Sequence, residues 1–119
     1  MVEYALGLTL FLYLVMGVVD FGRAFFTYNI VSNVAREAAR YATVSSHTSD
    51  QIVTYGTGRG GISGITVTVV SRGTAGNPSS PATVQASATF TPITPLISRV
   101  CCSGGPLALQ SRSTMYVEY

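Results

Sequence analysis

The sequence predicts an α+β fold: a long N-terminal helix over about residues 1–46 whose C-terminal half packs on a small three-stranded antiparallel sheet. Three observations predict it. The stretch VEYALGLTLFLYLVMGVVDFGRAFFTYNIVSNVAREAARYA, Val2 to Ala42, contains no proline, and it turns from uniformly apolar to amphipathic at Asp20 without a turn signal. Between residues 65 and 119, three runs alternate apolar and polar residues with the period of a strand, separated by glycine and proline. A helix of that length would reach about 69 Å at roughly 1.5 Å per residue, whereas a domain of about 100 residues has a radius of gyration near 13 Å. Part of the helix has to project. The expected division is residues 1–26 as a protruding hydrophobic helix and 27–119 as a small globular domain.

Composition narrows the function classes. The 119 residues are 47% hydrophobic and 10% charged, too few charges for a disordered or solvating chain. All seven basic residues are arginines, dispersed as Arg23, Arg36, Arg40, Arg59, Arg72, Arg99 and Arg112, and the net charge is only +2. Without a basic cluster there is no electrostatic footprint for nucleic acid. One histidine, His47, and two adjacent cysteines, Cys101 and Cys102, do not supply the ligands of a metal centre. The cysteines form either a disulfide, local or between subunits, or two ordinary thiols. No nucleophile–base spacing or paired carboxylate points to catalysis, and no cofactor is expected.

Taken in order, Tyr4 to Val19 is apolar on every side apart from Thr9 and the tyrosine hydroxyls. These sixteen residues give about 24 Å of helix, and continuation through Phe26 makes up the roughly 30 Å of a bilayer's hydrocarbon core. Asp20 and Arg23 stand three apart on one face and can form an ion pair. From there Phe21, Phe25, Tyr28, Val31, Ala35, Ala38 and Ala42 recur at intervals of three and four, a stripe expected to pack on the sheet. Glu37 and Arg40 are expected to pair on the solvated side. Ser49 or Asp50 is the expected cap of a short helix, Gln51 to Tyr55, stopped by Gly56 and Gly58. Strands are expected at Ile65–Ser71, Ala82–Thr91 and Leu107–Tyr119. The inward residues would be Ile65, Val67, Val69, Val84, Ala86, Ala88, Phe90, Leu109, Met115, Val117 and Tyr119. Ile93 to Pro106 reads as a loop carrying the cysteine pair.

The ends of the apolar stretch differ in charge. Glu3 precedes it and arginines follow it, which by the positive-inside rule would leave the domain in the cytoplasm. A Ser/Thr-rich β domain favours the opposite side. Both fit if a basic leader precedes Met1 and is removed. Glu3 itself is either an interfacial acid that stays wet or the partner of a cationic group, such as a free α-amino group, on a neighbouring helix. In the second case it would fix axial register.

Val2-Glu3-Tyr4-Ala5-Leu6 followed by Gly17-Val18-Val19-Asp20-Phe21-Gly22-Arg23-Ala24 resembles the start of TadE-like pilins. So does Ala35-Arg36-Glu37-Ala38-Ala39-Arg40-Tyr41-Ala42, and the ending Met115-Tyr116-Val117-Glu118-Tyr119 is compatible. These belong to the tight-adherence branch of the type IV pilus systems. The resemblance is specific over Val2–Ala42 and architectural beyond it. It implies a lollipop-shaped prepilin cut by a leader peptidase, held in inner-membrane lipid, and passed by pilus assembly machinery into an extracellular filament. The expected partner in that filament is the chain itself, as a helical homo-oligomer of identical subunits. The family glutamate stands fifth in the mature chain and here third, so the partnering amine is that of Met1 or of a residue ahead of it. The expected core-packing positions are Leu6, Leu10, Phe11, Leu14, Val18, Phe21 and Phe25, with Gly7, Gly17 and Gly22 permitting either close helix approach or local unwinding of the helix during assembly. The expected function is a structural subunit of the pilus; a minor or tip pilin, or a single-pass anchored surface domain, would use the same residues.

Overall fold

The computed structural model describes residues 2–44, 46–74, 76–77, 80–94, 99 and 105–117. Met1, Cys101, Cys102 and Tyr119, singled out above, lie outside the described residues. Helix α1, Val2–Ala42, is continuous over 41 residues, and the molecule extends 72 × 25 × 19 Å. At about 1.5 Å per residue α1 alone accounts for roughly 62 Å of the long axis. It ends at Ala42 rather than near residue 46, where Thr43 turns back and donates its backbone N–H and its hydroxyl to the Arg40 carbonyl at 3.2 and 2.7 Å. Such local side-chain bonds compete with helix continuation.

Helix α2, Ser49–Arg59, is capped by Thr48. The Thr48 hydroxyl accepts from the Gln51 backbone N–H, and the Gln51 side chain accepts from the Thr48 backbone N–H at 2.9 Å. This reciprocal box starts the helix at Ser49, two residues earlier than expected. The helix also runs through Gly56 and Gly58 to Arg59. Gly56 is buried, and a Cβ there would stand 3.0 Å from Val67 Cγ2 and 3.1 Å from Ala38 Cβ. The missing side chain lets α2 dock against α1 and the first strand, and that packing overrides the poor helix propensity of glycine.

Strands β1 (Ile65–Arg72), β2 (Ala82–Phe90) and β3 (Leu107–Met115) form an antiparallel sheet in the order β1-β2-β3. Register sets Val67 opposite Ala86 and Val69 opposite Val84, with an irregularity between Val69 and Ser71. Ala82 faces Met115 and Phe90 faces Leu107 across the other pair. The β1–β2 connection turns at Gly73, whose φ of +68° and close approach to Ser80 and Ala82 backbone leave no room for a Cβ. One sheet face is polar, tied by Thr83–Thr114, Gln85–Gln110 and Arg112–Gln85 contacts at 3.1–3.2 Å.

The other face carries Val67, Val84, Ala86 and Ala88 against Val31, Val34, Ala35, Ala38, Ala39 and Ala42 of α1, with Ile52 and Val117 closing the ends. Alanine meets alanine across this layer, so helix and sheet approach closely. The expected stripe is corrected at its upper end. Phe21 is 72% and Phe25 61% exposed, and Tyr28 is exposed as well. The head-facing line instead runs through Asp20, Ala24, Thr27 and Val31, about 100° round the helix from the aromatic positions.

Candidate assembly surface

From Val2 to Val19 all but one side of α1 is bare: every residue is exposed except Gly17, which is partly covered. An 18-residue window in this helix has a mean hydropathy of 1.9 and none of it is buried, enough by length and composition to cross a membrane. These eighteen residues span about 27 Å. The hydroxyl of Thr9 does not interrupt the apolar surface, because it donates to the Ala5 carbonyl at 2.8 Å and is satisfied within the helix. Leu6, Leu10, Phe11, Leu14 and Val18 all stand exposed on this rod, and Glu3 is exposed in its first turn. A carboxylate there faces the positive end of the helix dipole.

Asp20 marks where the rod meets the head. It is 3% exposed, and its Oδ1 and Oδ2 accept the backbone N–H groups of Ile93 and Thr94 at 3.2 and 2.7 Å. Arg23 Nη1 stands 3.5 Å from Oδ1, so the Asp20–Arg23 pair read from the sequence forms, but it is the longer of the contacts. The Arg23 guanidinium also lies 5.5 Å from the centroid of the Phe90 ring. Asp20 thus fastens the segment after β2 to the middle of α1. The sequence points to Arg23 but offers no trace of the two main donors, which are backbone groups more than seventy residues away.

Below the clasp, Thr9, Leu12, Tyr13 and Met16 of α1, with Ile93 and Thr94 above them, enclose an apolar groove of about 290 Å³. The four helix residues continue, toward the N-terminus, the same line that the head covers from Asp20 onward. Ile93 overhangs this groove with 59% of its surface exposed.

A second feature lies at the far end of α1. Tyr41 is sandwiched between His47 and Tyr55, with ring centroids 3.8 and 4.3 Å apart and planes within 9°. The Tyr41 carbonyl accepts from His47 Nδ1 at 3.0 Å, Arg59 donates to the Tyr55 hydroxyl at 3.0 Å, and Arg72 donates to the His47 carbonyl. Both faces of Tyr41 are taken up by its neighbours, so the stack ties the end of α1 to the loop before α2 and to α2 itself, with Arg72 joining β1. Glu37 and Arg40, expected to pair, line an open groove of about 360 Å³ beside this stack. Among the described residues the one ion pair is Asp20–Arg23. An exposed pair gains too little to hold two long side chains in one geometry. Among the described residues no three His, Cys, Asp or Glu side chains gather where they could hold a metal ion.

Residues 1–40 match the TadE-like protein family. The match covers the bare rod, the clasp residue and the first head-facing turns of α1. No curated protein and no solved structure matches the chain.

Proposed function

We propose that this TadE-like chain is a structural subunit of an extracellular pilus of the tight-adherence type, polymerising through the exposed half of α1. One observation carries the reading. The head closes its own core with residues from Val31 to Val117, leaving Val2–Val19 as an apolar rod that takes no part in it. Such a surface exceeds by far the few hundred Å² of contiguous apolar patch that a monomer leaves in water. Lipid covers it before assembly and neighbouring rods afterwards, so the net driving force is the difference between two apolar environments. Leu6, Leu10, Phe11, Leu14 and Val18, with Phe21 and Phe25 above them, would form the inter-helix contacts. Glu3 would meet the α-amino group of another copy and fix its axial position. A leader peptidase would free that amine, and assembly machinery would lift the chain out of the inner membrane.

The test is fractionation of cells expressing the full chain, with electron microscopy of the sheared extracellular material. Filaments labelled along their length by an antibody to the head are expected. Glu3→Ala should shift most of the chain to the detergent-extracted membrane fraction and reduce filaments at least tenfold. Labelling confined to filament tips would indicate a minor pilin, and a chain found only in detergent extracts would indicate a surface anchor. Normal filament yield from Glu3→Ala would remove Glu3 from the assembly step.

A further inference from the structure

Two apolar features of this chain remain uncovered at the junction of rod and head, and they lie on different sides of α1. One is the groove of about 290 Å³ formed by Thr9, Leu12, Tyr13 and Met16 under Ile93 and Thr94. The other is a ridge, Phe21, Phe25 and Tyr28, spaced four and three apart and exposed beside the head instead of beneath it. From the structure we infer that the groove of one copy receives the aromatic ridge of a second copy. This rests on the filament reading and names a contact within it.

Size and shape favour that occupant. The groove falls at or below the roughly 300–1,000 Å³ of small-molecule sites, so it suits a few side chains better than a cofactor-sized ligand. Its long wall is a helix face at positions i, i+3, i+4 and i+7, the surface into which another helix's ridge packs. Met16 supplies an adaptable wall and a sulfur that favours aromatic neighbours. Among the described residues, neither groove nor ridge contains a charged side chain, so their union leaves no such ion desolvated without a partner. Lipid is a poorer cover for the ridge, because Phe25 and Tyr28 stand above the Asp20 clasp, at the level where the head begins. The three ridge rings, at about 150–250 Å² each and roughly half to three-quarters exposed, offer on the order of 270–450 Å², up to about half of the roughly 800 Å² per partner of a standard interface, and the apolar rods alongside would supply the rest.

The geometry also bears on symmetry. A groove on one side meeting a ridge on another is a heterologous contact, in which each copy uses both surfaces on different neighbours. Such contacts generate rings when the rotation closes and open helical filaments when it does not. With rods held parallel, a copy displaced along the axis toward the N-terminal end brings its residues 21–28 beside residues 9–16 of the next. The displacement is about twelve residues, or roughly 18 Å. The Asp20 clasp sets the height of Ile93 over the groove and so fixes that displacement.

Photo-crosslinking tests the contact. Phe25 replaced by p-benzoylphenylalanine keeps an aromatic group at an exposed site, and benzophenone inserts readily into methionine side chains. In sheared filaments of the full chain, irradiation should yield a dimer whose cross-link maps by mass spectrometry to Met16, Leu12 or Ile93 of the other copy. Ile93→Ser should lower filament yield several-fold while Ile93→Val preserves it, with the melting temperature of the head unchanged in both. Filaments that contain the chain but cross-link elsewhere, or only to lipid, would overturn this contact and leave the filament reading standing, as would full yield from Ile93→Ser. Absence of the chain from filaments would overturn that reading first and the contact with it.

Discussion

Asp20 is a carboxylate removed from water in the middle of an apolar helix, and such a group persists only when its lone pairs are filled. Two backbone N–H groups and Arg23 fill them here. Asp20→Ala would leave the buried Thr94 amide without an acceptor and strip the partly buried Ile93 amide of its own, and an unmade buried bond costs more than the bond itself contributes. The full chain in detergent should then melt on the order of 5 °C lower by near-UV circular dichroism of its tyrosines. Asp20→Asn keeps one acceptor oxygen in the same place and should lose clearly less. Equal melting of the Ala variant and the parent would mean the clasp does not hold the loop. Of this site the sequence reveals Asp20 and Arg23, because a spacing of three on a helix is visible in one dimension. It conceals the dominant partners, because backbone amides have no side-chain signature. It also misdirects the eye to Phe21 and Phe25. A large apolar side chain scores highest as core, yet the head takes the small and polar Asp20, Ala24 and Thr27, and the rings face outward.

At the scale of elements, propensity and packing pull α2 in opposite directions, and packing prevails. Gly56 and Gly58 both lower helix stability by about 1 kcal/mol relative to alanine. Only Gly56 is repaid by a contact, with Ala38 and Val67 within about 3 Å of where a Cβ would stand; around Gly58 nothing lies within 4 Å. Gly56→Val should therefore destabilise the head by about 1–3 kcal/mol through overpacking. Gly58→Ala should stabilise it by up to about 1 kcal/mol. Chemical denaturation of the two variants checks the contrast, and effects of the same sign would contradict the docking role of Gly56. The strands were more legible than α2. Period-two alternation with buried Val67, Val84 and Ala86 survives in the structure because one face of the sheet is dry and the other wet. The end of α1 and the length of α2 were less so, since turn chemistry at Thr43 and a tertiary contact at Gly56 decided them.

For the molecule as a whole, the division between rod and head falls where burial changes. No residue from Val2 to Val19 belongs to the buried core, whereas Asp20 is fastened to the head and Val31 lies at its centre. The rod's apolar surface therefore lowers solubility and drives association but does not contribute to the folding of the head. A chain lacking residues 1–18 retains Asp20, Arg23, both helix layers and the whole sheet. It should dissolve without detergent, sediment as a monomer at micromolar concentration, and melt within a few degrees of the full chain. The exposed ridge at Phe21, Phe25 and Tyr28 remains on it, a patch within the size a soluble monomer tolerates. If the shortened chain were unfolded, the rod would be part of the head's core and could not be free to move from lipid into a filament. If it instead formed a stable closed dimer, the ridge would be self-complementary, and a twofold contact of that kind does not propagate along parallel rods. A soluble, folded monomer is the outcome that a subunit built for two successive environments requires.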